Sequence, residues 1–384
     1  MSRARARRGR VSLAVLAGLA IGAFVLGAAV ADGRSPNPDS PTPDVAVTLP
    51  LKQLAGERIV VGLRGTAVST RLRAAIQEGR VAGVVLFAAN LPTRAAGSRL
   101  IRQLQGIRRP PPLRDPLLIM VDQEGGLVKR VSGAPAASAR EMGARGGAFS
   151  ARQGRRAAAN LRDLGINVDL APVLDVGRPG GVIADTERSF GSTARRVRAT
   201  AVPFARALQS GDVAATAKHF PGFGAARENT DFAVQRIDLS RRELRRVDEA
   251  PYPAFIAAGG KLVMLSTAIY PAFSDEPAAF TRSIATGELR ERLGFEGVSI
   301  TDALETVAVR EFGGPEKAGL AAARAGADLL LFTELAPAEK AWRALARQLR
   351  SGALSRDEFE VAVQRVLDLR SELYEGTAAR DSQR

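Results

Sequence analysis

From residue 49 onward the chain alternates short apolar runs with longer stretches in which alanine, leucine and arginine recur at helical spacing. The apolar runs fall at 59–63, 81–87, 116–121, 166–171, 213–217, 261–266, 297–301 and 327–332. Most are continuous rather than alternating, the pattern of strands buried on both faces of a parallel sheet. Helices are predicted between them over 70–79, 94–106, 151–164, 193–210, 240–258, 285–293 and 314–325. A last helical region covers 336–374, with Ser355 as the cap of its final helix. Eight such units in unbroken succession predict an α/β fold, a (β/α)8 barrel of the TIM type forming one catalytic domain. A doubly wound open sheet is the alternative, but no Gly-x-Gly-x-x-Gly follows the first strand.

In a barrel the chemistry belongs at the C-terminal ends of the strands. Those ends are polar here. The third run ends in Asp122, Gln123 and Glu124, with Lys129 and Arg130 beyond. The fourth leads to Asp175, and its loop carries Glu187 and Arg188. The fifth delivers Lys218 and His219 into a Pro-Gly break, followed by a glycine-bearing polar segment expected to be mobile. Ser266 and Thr267 end the sixth, Asp302 the seventh, Thr333 and Glu334 the eighth. Each alone is an ordinary strand end, and Asp302 could simply cap a helix. Together they ring one mouth with carboxylates, hydroxyls and a few cations, which suits a saccharide site. Acetal cleavage needs an ionised carboxylate at the anomeric carbon and a proton donor for the leaving oxygen. Asp302 is the candidate for the first. Lys218 would hold nearby carboxylates ionised, and Asp122 with Arg130 could fork onto vicinal hydroxyls.

Composition narrows the chemistry further. Among 384 residues there is no cysteine and a single histidine. Disulfides, thiolate metal sites and a cysteine nucleophile are excluded, and metal catalysis is discounted. The N-terminus reads as a targeting segment. Arg3, Arg5, Arg7, Arg8 and Arg10 precede an uncharged stretch over 11–30, and Ala29-Val30-Ala31 forms a small-x-small cleavage pattern. The stretch is long enough to span a bilayer, so residues 1–31 are either a cleaved signal peptide or a signal anchor. Residues 32–48 read as a proline-rich linker, 49–376 as the barrel and 377–384 as a disordered tail. The working part is therefore expected outside the cytoplasmic membrane, secreted or tethered to its outer face. Without the five arginines of the targeting segment the net charge of +15 becomes +10. Its arginines are scattered along helices with no aromatic-interleaved stripe, so no nucleic-acid partner is expected. A monomer is expected, touching the membrane only through an N-terminal anchor.

At this point the motifs themselves become specific. Val121-Asp122-Gln123-Glu124-Gly125-Gly126, the stretch 165–175, Arg188-Ser189-Phe190-Gly191, Ala217-Lys218-His219-Phe220-Pro221-Gly222 and 299–304 occur in that order. The chain resembles glycoside hydrolase family 3, in its single-domain branch of β-N-acetylglucosaminidases, over roughly 49–374. The resemblance implies a barrel fold, no metal or other cofactor, and a retaining double displacement with Asp302 as nucleophile. It implies that Asp122, Arg130, Arg188, Lys218 and His219 grip the sugar. The expected substrate is a carbohydrate, a terminal β-linked (N-acetyl)glucosaminyl unit of a cell-envelope glycan, and a β-glucosidase preference is an alternative.

One segment departs from the family. These enzymes usually continue with His-Gly and then Asp-Ser-His, whose last histidine is the acid/base and whose aspartate orients it. Here Phe223 replaces the first histidine, and the triplet reads Asn229-Thr230-Asp231. The sixth strand also ends in Ser266-Thr267, where a histidine is common. Two readings follow. In one, Asp231 serves as acid/base, its pKa raised by burial or by Asp302, with neutral Asn229 as hydrogen-bond partner. In the other, the loop has lost its catalytic role and the protein binds glycan without turning it over.

Overall fold

The computed structural model describes residues 45–381, the side chains of 47 and 377–381 excepted. The targeting segment and most of the linker lie outside the described residues. Eight parallel strands follow one another: β1 (Ile59–Gly62), β2 (Gly83–Val85), β3 (Leu118–Val121), β4 (Val168–Asp169), β5 (Ala214–Phe220), β6 (Leu262–Leu265), β7 (Val298–Thr301) and β8 (Leu330–Phe332). Each pairs with its sequence neighbour, β1 pairs with β8, and a parallel bridge between Ile300 and Leu329 joins β7 to β8. The sheet is thus a (β/α)8 barrel, as the pattern of apolar runs predicted.

The period of two along each strand decides what fills the barrel and what reaches its mouth. Val60, Val85, Leu118, Met120, Val168, Leu170, Ala214, Leu262, Met264, Val298, Ile300, Leu329 and Leu331 pack together as an inner cluster. Alternate residues, such as Val61, Ile119 and Ala215, belong to the outer cluster beneath the helices. Counting two onward from Met120 gives Asp122, from Ile300 gives Asp302, and from Ala214 gives Thr216 and then Lys218. The register that buries the apolar layers therefore turns these polar side chains into the barrel axis at its C-terminal end. A one-residue slip on any of these strands would exchange the polar residue for an outward apolar one.

Three expectations are corrected. The fifth strand does not stop at residue 217: it runs to Phe220, so Lys218 and His219 lie on the strand rather than in a loop. Pairing sustains it there, with Val173 bridging Lys218 on one side and Phe220 in register with Leu265 on the other. The helix predicted over 240–258 is broken into Arg241–Glu243, Leu244–Asp248 and Tyr252–Ala257. Pro251 enters at the junction, where its missing N–H ends the preceding helix and its fixed φ starts the next. At the edges of the domain, Val45–Thr48 forms a helical turn inside the stretch read as linker. Ala46 is buried there and its N–H donates to Gln364 Oε1 at 3.1 Å. The last helix, Arg356–Asp381, continues past residue 376, and Ser355 caps it through a bond from the Glu358 N–H.

The N-terminal face of the barrel is closed by charge. Asp328, fully buried at the start of β8, accepts the N–H of Ser299 at 2.7 Å and its hydroxyl at 3.0 Å. It also pairs with Arg290 and with Arg365. These bonds run across the β7–β8 seam. Stability residues on this face and chemistry on the other is the usual division of labour in such barrels.

Candidate active site

Five buried or half-buried ionic groups form the floor of the mouth. Lys218, 2% exposed, donates to Asp122 Oδ1 at 2.7 Å and pairs with Glu124 Oε1 at 2.8 Å. Arg188 forks onto Glu124, Nε to Oε2 and Nη2 to Oε1, both at 2.8 Å. Arg130 Nη2 stands 3.4 Å from Asp122 Oδ2. Burial alone would raise the pKa of both carboxyls. Lys218 and Arg130 outweigh it at Asp122, and Arg188 and Lys218 outweigh it at Glu124, so both sit below their ordinary values. Lys218 is raised in turn, because the two carboxylates overcome its burial. The cluster is a set of fixed charges. Its exposed edge at Asp122 and Arg130 presents an acceptor beside a donor, the geometry that suits neighbouring sugar hydroxyls.

The local sequence explains how this floor is held. Gln123 points away from the axis and braces the following loop. Its Oε1 accepts the N–H groups of Arg130 and Val131 at 2.9 and 3.0 Å, and its Nε2 donates to the carbonyls of Val131 and Ala134. The turn that lets Glu124 double back is made by Gly125 and Gly126, with φ of 101° and 55°. A Cβ on Gly125 would lie 2.2 Å from the Ala137 carbonyl, so only glycine fits.

His219 is fixed from behind. Its Nδ1 lies 2.7 Å from Asp175 Oδ2, while Asp175 Oδ1 accepts the N–H of His219 at 3.1 Å and that of Phe223 at 2.7 Å. A carboxylate partner makes Nδ1 the protonated nitrogen and leaves Nε2 as the ring's free polar atom. The Phe223 ring meets the imidazole edge-on at a centroid distance of 5.6 Å. Phe223 thus covers the histidine with an apolar wall. The peptide bonds Lys218–His219 and Phe220–Pro221 are cis.

Asp302 directly follows β7; its N–H donates to the Leu265 carbonyl at 3.0 Å, and its Oδ1 accepts the Ala303 N–H at 2.8 Å. The loop bearing Asp231 is docked beside it: Thr230 is buried, and its carbonyl accepts the N–H of Ala308, six residues beyond Asp302. Gln235 Oε1 closes the loop by accepting the N–H groups of Arg227 and Glu228, each at 3.2 Å. The segment expected to be mobile is therefore tied down at several points. Asp231 accepts from Asn229 Nδ2 at 2.9 Å. Its surface is open to water, yet protein atoms crowd the mouth around it. That partial burial, then the charge of Asp302, raise its pKa above the ordinary carboxylate value, while the Asn229 bond opposes them. A carboxyl whose pKa is raised beside a second carboxyl is the pairing from which an acid and a nucleophile are made.

All seven residues singled out from the sequence reach this one mouth. Two partners were not singled out. Glu124 links Lys218 to Arg188, and Asp175 holds His219. Both stood at strand ends in the sequence, but their partners lie 64 and 44 residues away.

Comparison with known proteins agrees with the geometry. The model of the glycosyl hydrolase family 3 N-terminal domain matches residues 49–369. The chain belongs to this family. An uncharacterized secreted glycosyl hydrolase of Arthroderma benhamiae is 37% identical over 338 residues, covering 85% of this chain and 95% of that protein. A beta-hexosaminidase of Xylella fastidiosa is 34% identical over 286 residues, covering 71% of this chain and 82% of that one. Among solved structures, the family 3 beta-N-acetylglucosaminidase of Paenibacillus sp. superposes with a TM-score of 0.80 at 35% identity, over 85% of this chain and 63% of that one. The beta-N-acetylhexosaminidase of Beutenbergia cavernae gives 0.74 at 29% identity, over 84% and 99%. This chain is a family 3 glycoside hydrolase of the beta-hexosaminidase-like kind. Among its described residues, no helix is long and apolar enough to cross a membrane.

Proposed function

We propose that this family 3 hydrolase removes terminal β-linked N-acetylhexosaminyl units from cell-envelope glycans, with retention of configuration, outside the cytoplasmic membrane. The observation that carries the reading is the pair of carboxyls at the mouth, Asp302 just past the end of β7 and Asp231 on a loop docked to the segment that follows Asp302, with Asp231's pKa raised. Asp302 attacks the anomeric carbon while protonated Asp231 donates to the leaving oxygen. The glycosyl ester on Asp302 is then opened by water, from which Asp231, now ionised, takes a proton. Asp122 and Arg130 bind hydroxyls of the sugar, Lys218 and Arg188 keep the acidic floor ionised, and His219 offers Nε2 from a ring locked by Asp175. The extracytoplasmic location is supported by the arginine-rich, apolar N-terminus and by the Arthroderma relative's description as secreted.

The test is turnover of an aryl N-acetyl-β-glucosaminide and an aryl β-glucoside by the wild type and by Asp302→Asn. The expected result is hydrolysis of the first substrate, a first-formed β product by NMR, and loss of turnover in Asp302→Asn. Faster turnover of the glucoside would reassign the sugar. Binding of glycan with no turnover of either substrate would make this a binding protein.

A further inference from the structure

On the N-terminal face of the barrel, opposite the catalytic mouth, lies a cavity of about 600 Å³. Arg58, the residue before β1, and Asp328, two residues before β8, line it and fix its place. The N-terminal part of the last helix, Arg356–Asp381, forms one wall. Five arginines line the cavity against three carboxylates, Asp328, Asp357 and Glu358.

These charges do not balance. Asp328 serves two guanidiniums, Arg290 and Arg365, and Glu358 holds Arg282 at 2.9 Å. Arg58 and Arg324 have no ion-pair partner among the described residues, and the third carboxylate, Asp357, is exposed and pairs with neither. Arg324, near the end of the helix Gly314–Ala325, is open to water. Arg58 is 1% exposed. Its Nε and Nη2 donate to the carbonyls of Asp328 and Ala327, and its Cζ lies 4.0 Å from the centre of the Phe359 ring. Nη1 makes no hydrogen bond among the described residues, and the buried Nε of Arg290 has none either. A buried cation is costly unless a counter-charge accompanies it. Burial pushes the Arg58 guanidinium down to about 10, with the charge of Asp328 opposing the fall.

The wall beside these cations is apolar. Leu354 and Phe359 are buried in it, and Val361 is 53% exposed. The chain also enters the barrel domain here, since Ala46 donates to Gln364, the neighbour of Arg365. A retained N-terminal anchor would hold this face within reach of the bilayer.

We propose that this cavity binds a phosphate monoester, soluble or as a lipid headgroup, with Arg58 at its floor and Arg324 at its rim as the cations that hold it. Such a group carries close to two negative charges and three strong acceptor oxygens. The first matches the excess of arginines over carboxylates. The second suits guanidiniums arriving from separate elements, here the start of β1 and the helix Gly314–Ala325. A carboxylate offers two oxygens in one plane and one charge.

Calorimetry with glycerol 3-phosphate at constant ionic strength tests the site in the full chain. The wild type should bind it saturably. In Arg324→Gln, which removes a side chain that makes no bond among the described residues, the unliganded melting temperature should be unchanged and Kd about tenfold weaker, as for one charged hydrogen bond. Arg99→Gln, an exposed arginine on the helix Arg94–Gln105, should keep Kd within about twofold, because salt screens distant charges. No saturable binding, an unchanged Kd in Arg324→Gln or an equal loss in Arg99→Gln overturns the site. Malonate binding as tightly as glycerol 3-phosphate overturns the phosphate class. Co-sedimentation with phosphatidylcholine vesicles, with and without phosphatidic acid, separates the two sources. Weaker pelleting of Arg324→Gln on the phosphatidic acid vesicles alone supports the lipid; equal pelleting beside the weakened Kd supports the soluble ester. No turnover enters these measurements, so they stand or fall apart from the glycosidase reading.

Discussion

Asn229 and Asp231 hold each other reciprocally: Asn229 Nδ2 donates to Asp231 Oδ2 at 2.9 Å, and the Asp231 N–H donates back to Asn229 Oδ1 at 3.1 Å. The amide orients the carboxyl without adding charge beside it. The family pattern places an aspartate there to orient a histidine; next to an aspartate, a second carboxylate would repel. On the proposed mechanism, rising pH ionises Asp231 and stops proton donation, so kcat on a poor leaving group should fall as pH rises through its elevated pKa. Asn229→Asp adds a like charge two residues away and raises that pKa further. The expected outcome is an alkaline limb moved to higher pH in the kcat profile. An unmoved limb would show that another group supplies the proton.

Removing the donor separates substrates by leaving group. In Asp231→Ala, hydrolysis of an alkyl or disaccharide substrate should fall by about 10²–10⁴, the usual worth of a general acid. A dinitrophenyl glycoside, which needs no proton, should still form the glycosyl enzyme. Its slow step is then the attack of water, and azide, which needs no base, should restore turnover and give the β-azide. Uniform loss on both substrates without azide rescue would sink the assignment of Asp231.

The barrel was legible because its strands are buried on both faces, so short apolar runs, most of them continuous, mark all eight. Their inward parity carries Asp122, Lys218 and Asp302 to the mouth without further information. What local sequence could not carry was pairing at long range. Strand β5 extends through Lys218 and His219 because Val173, in the segment after β4, and Leu265, on β6, offer pairing partners. Glu124 and Asp175 matter through Arg188 and His219, and only the fold brings those pairs together. Likewise the loop at 223–235 reads as a glycine-bearing, polar segment, yet the buried Thr230 and its bond from Ala308 pin it in place.

Lys218 neutralises two carboxylates at once. In Lys218→Met a buried apolar side chain would face Asp122 and Glu124, leaving Arg188 and the more distant Arg130 as their only compensation. Breaking a buried pair by removing one partner costs about 3–5 kcal/mol. The depressed carboxylate pKa values of the wild type add stability that is complete above the unfolded value and is lost as pH falls through the folded one. The variant should therefore melt lower at pH 7 and regain part of the deficit as pH falls and Asp122, no longer held down by Lys218, takes up a proton. Thermal melts across that range read both effects. A constant deficit at all pH would mean that lost packing, not charge, is responsible.

Asp328 should govern stability alone. It crosses the β7–β8 seam to Ser299 and pairs with Arg290 and Arg365, on the face opposite Asp302. Asp328→Ala strands the mostly buried Arg290 and removes the seam's side-chain bonds, a loss of about 3–5 kcal/mol. Denaturant unfolding should show the midpoint falling, while kcat/KM of the folded enzyme at 20 °C stays within about twofold. Asp328→Asn keeps the acceptor for Ser299 and should lose less. A kcat/KM that fell in step with stability would mean the seam also sets the position of Asp302.

The nature of the acid/base also fixes which acceptor can open the glycosyl enzyme. On the proposed mechanism, Asp231 is an anion beside the ester on Asp302 once its proton is given up, and Asp122 lies close enough for its charge to act on Asp231. A phosphate dianion entering that mouth meets the ionised Asp231, a repulsion of about 2–8 kcal/mol at 4 Å for effective dielectric constants between water and a protein surface, whereas the charge of Asp122 is already paired with Lys218 and Arg130. Neutral water meets none. Turnover should therefore be the same in phosphate as in a non-phosphate buffer of equal ionic strength, with free sugar as the product. Replacing Asp231 by histidine removes that repulsion, and sugar-1-phosphate should then appear in phosphate buffer. Clear formation of sugar-1-phosphate by the wild type, measured by ³¹P NMR, would show that Asp231 is not ionised when the acceptor arrives.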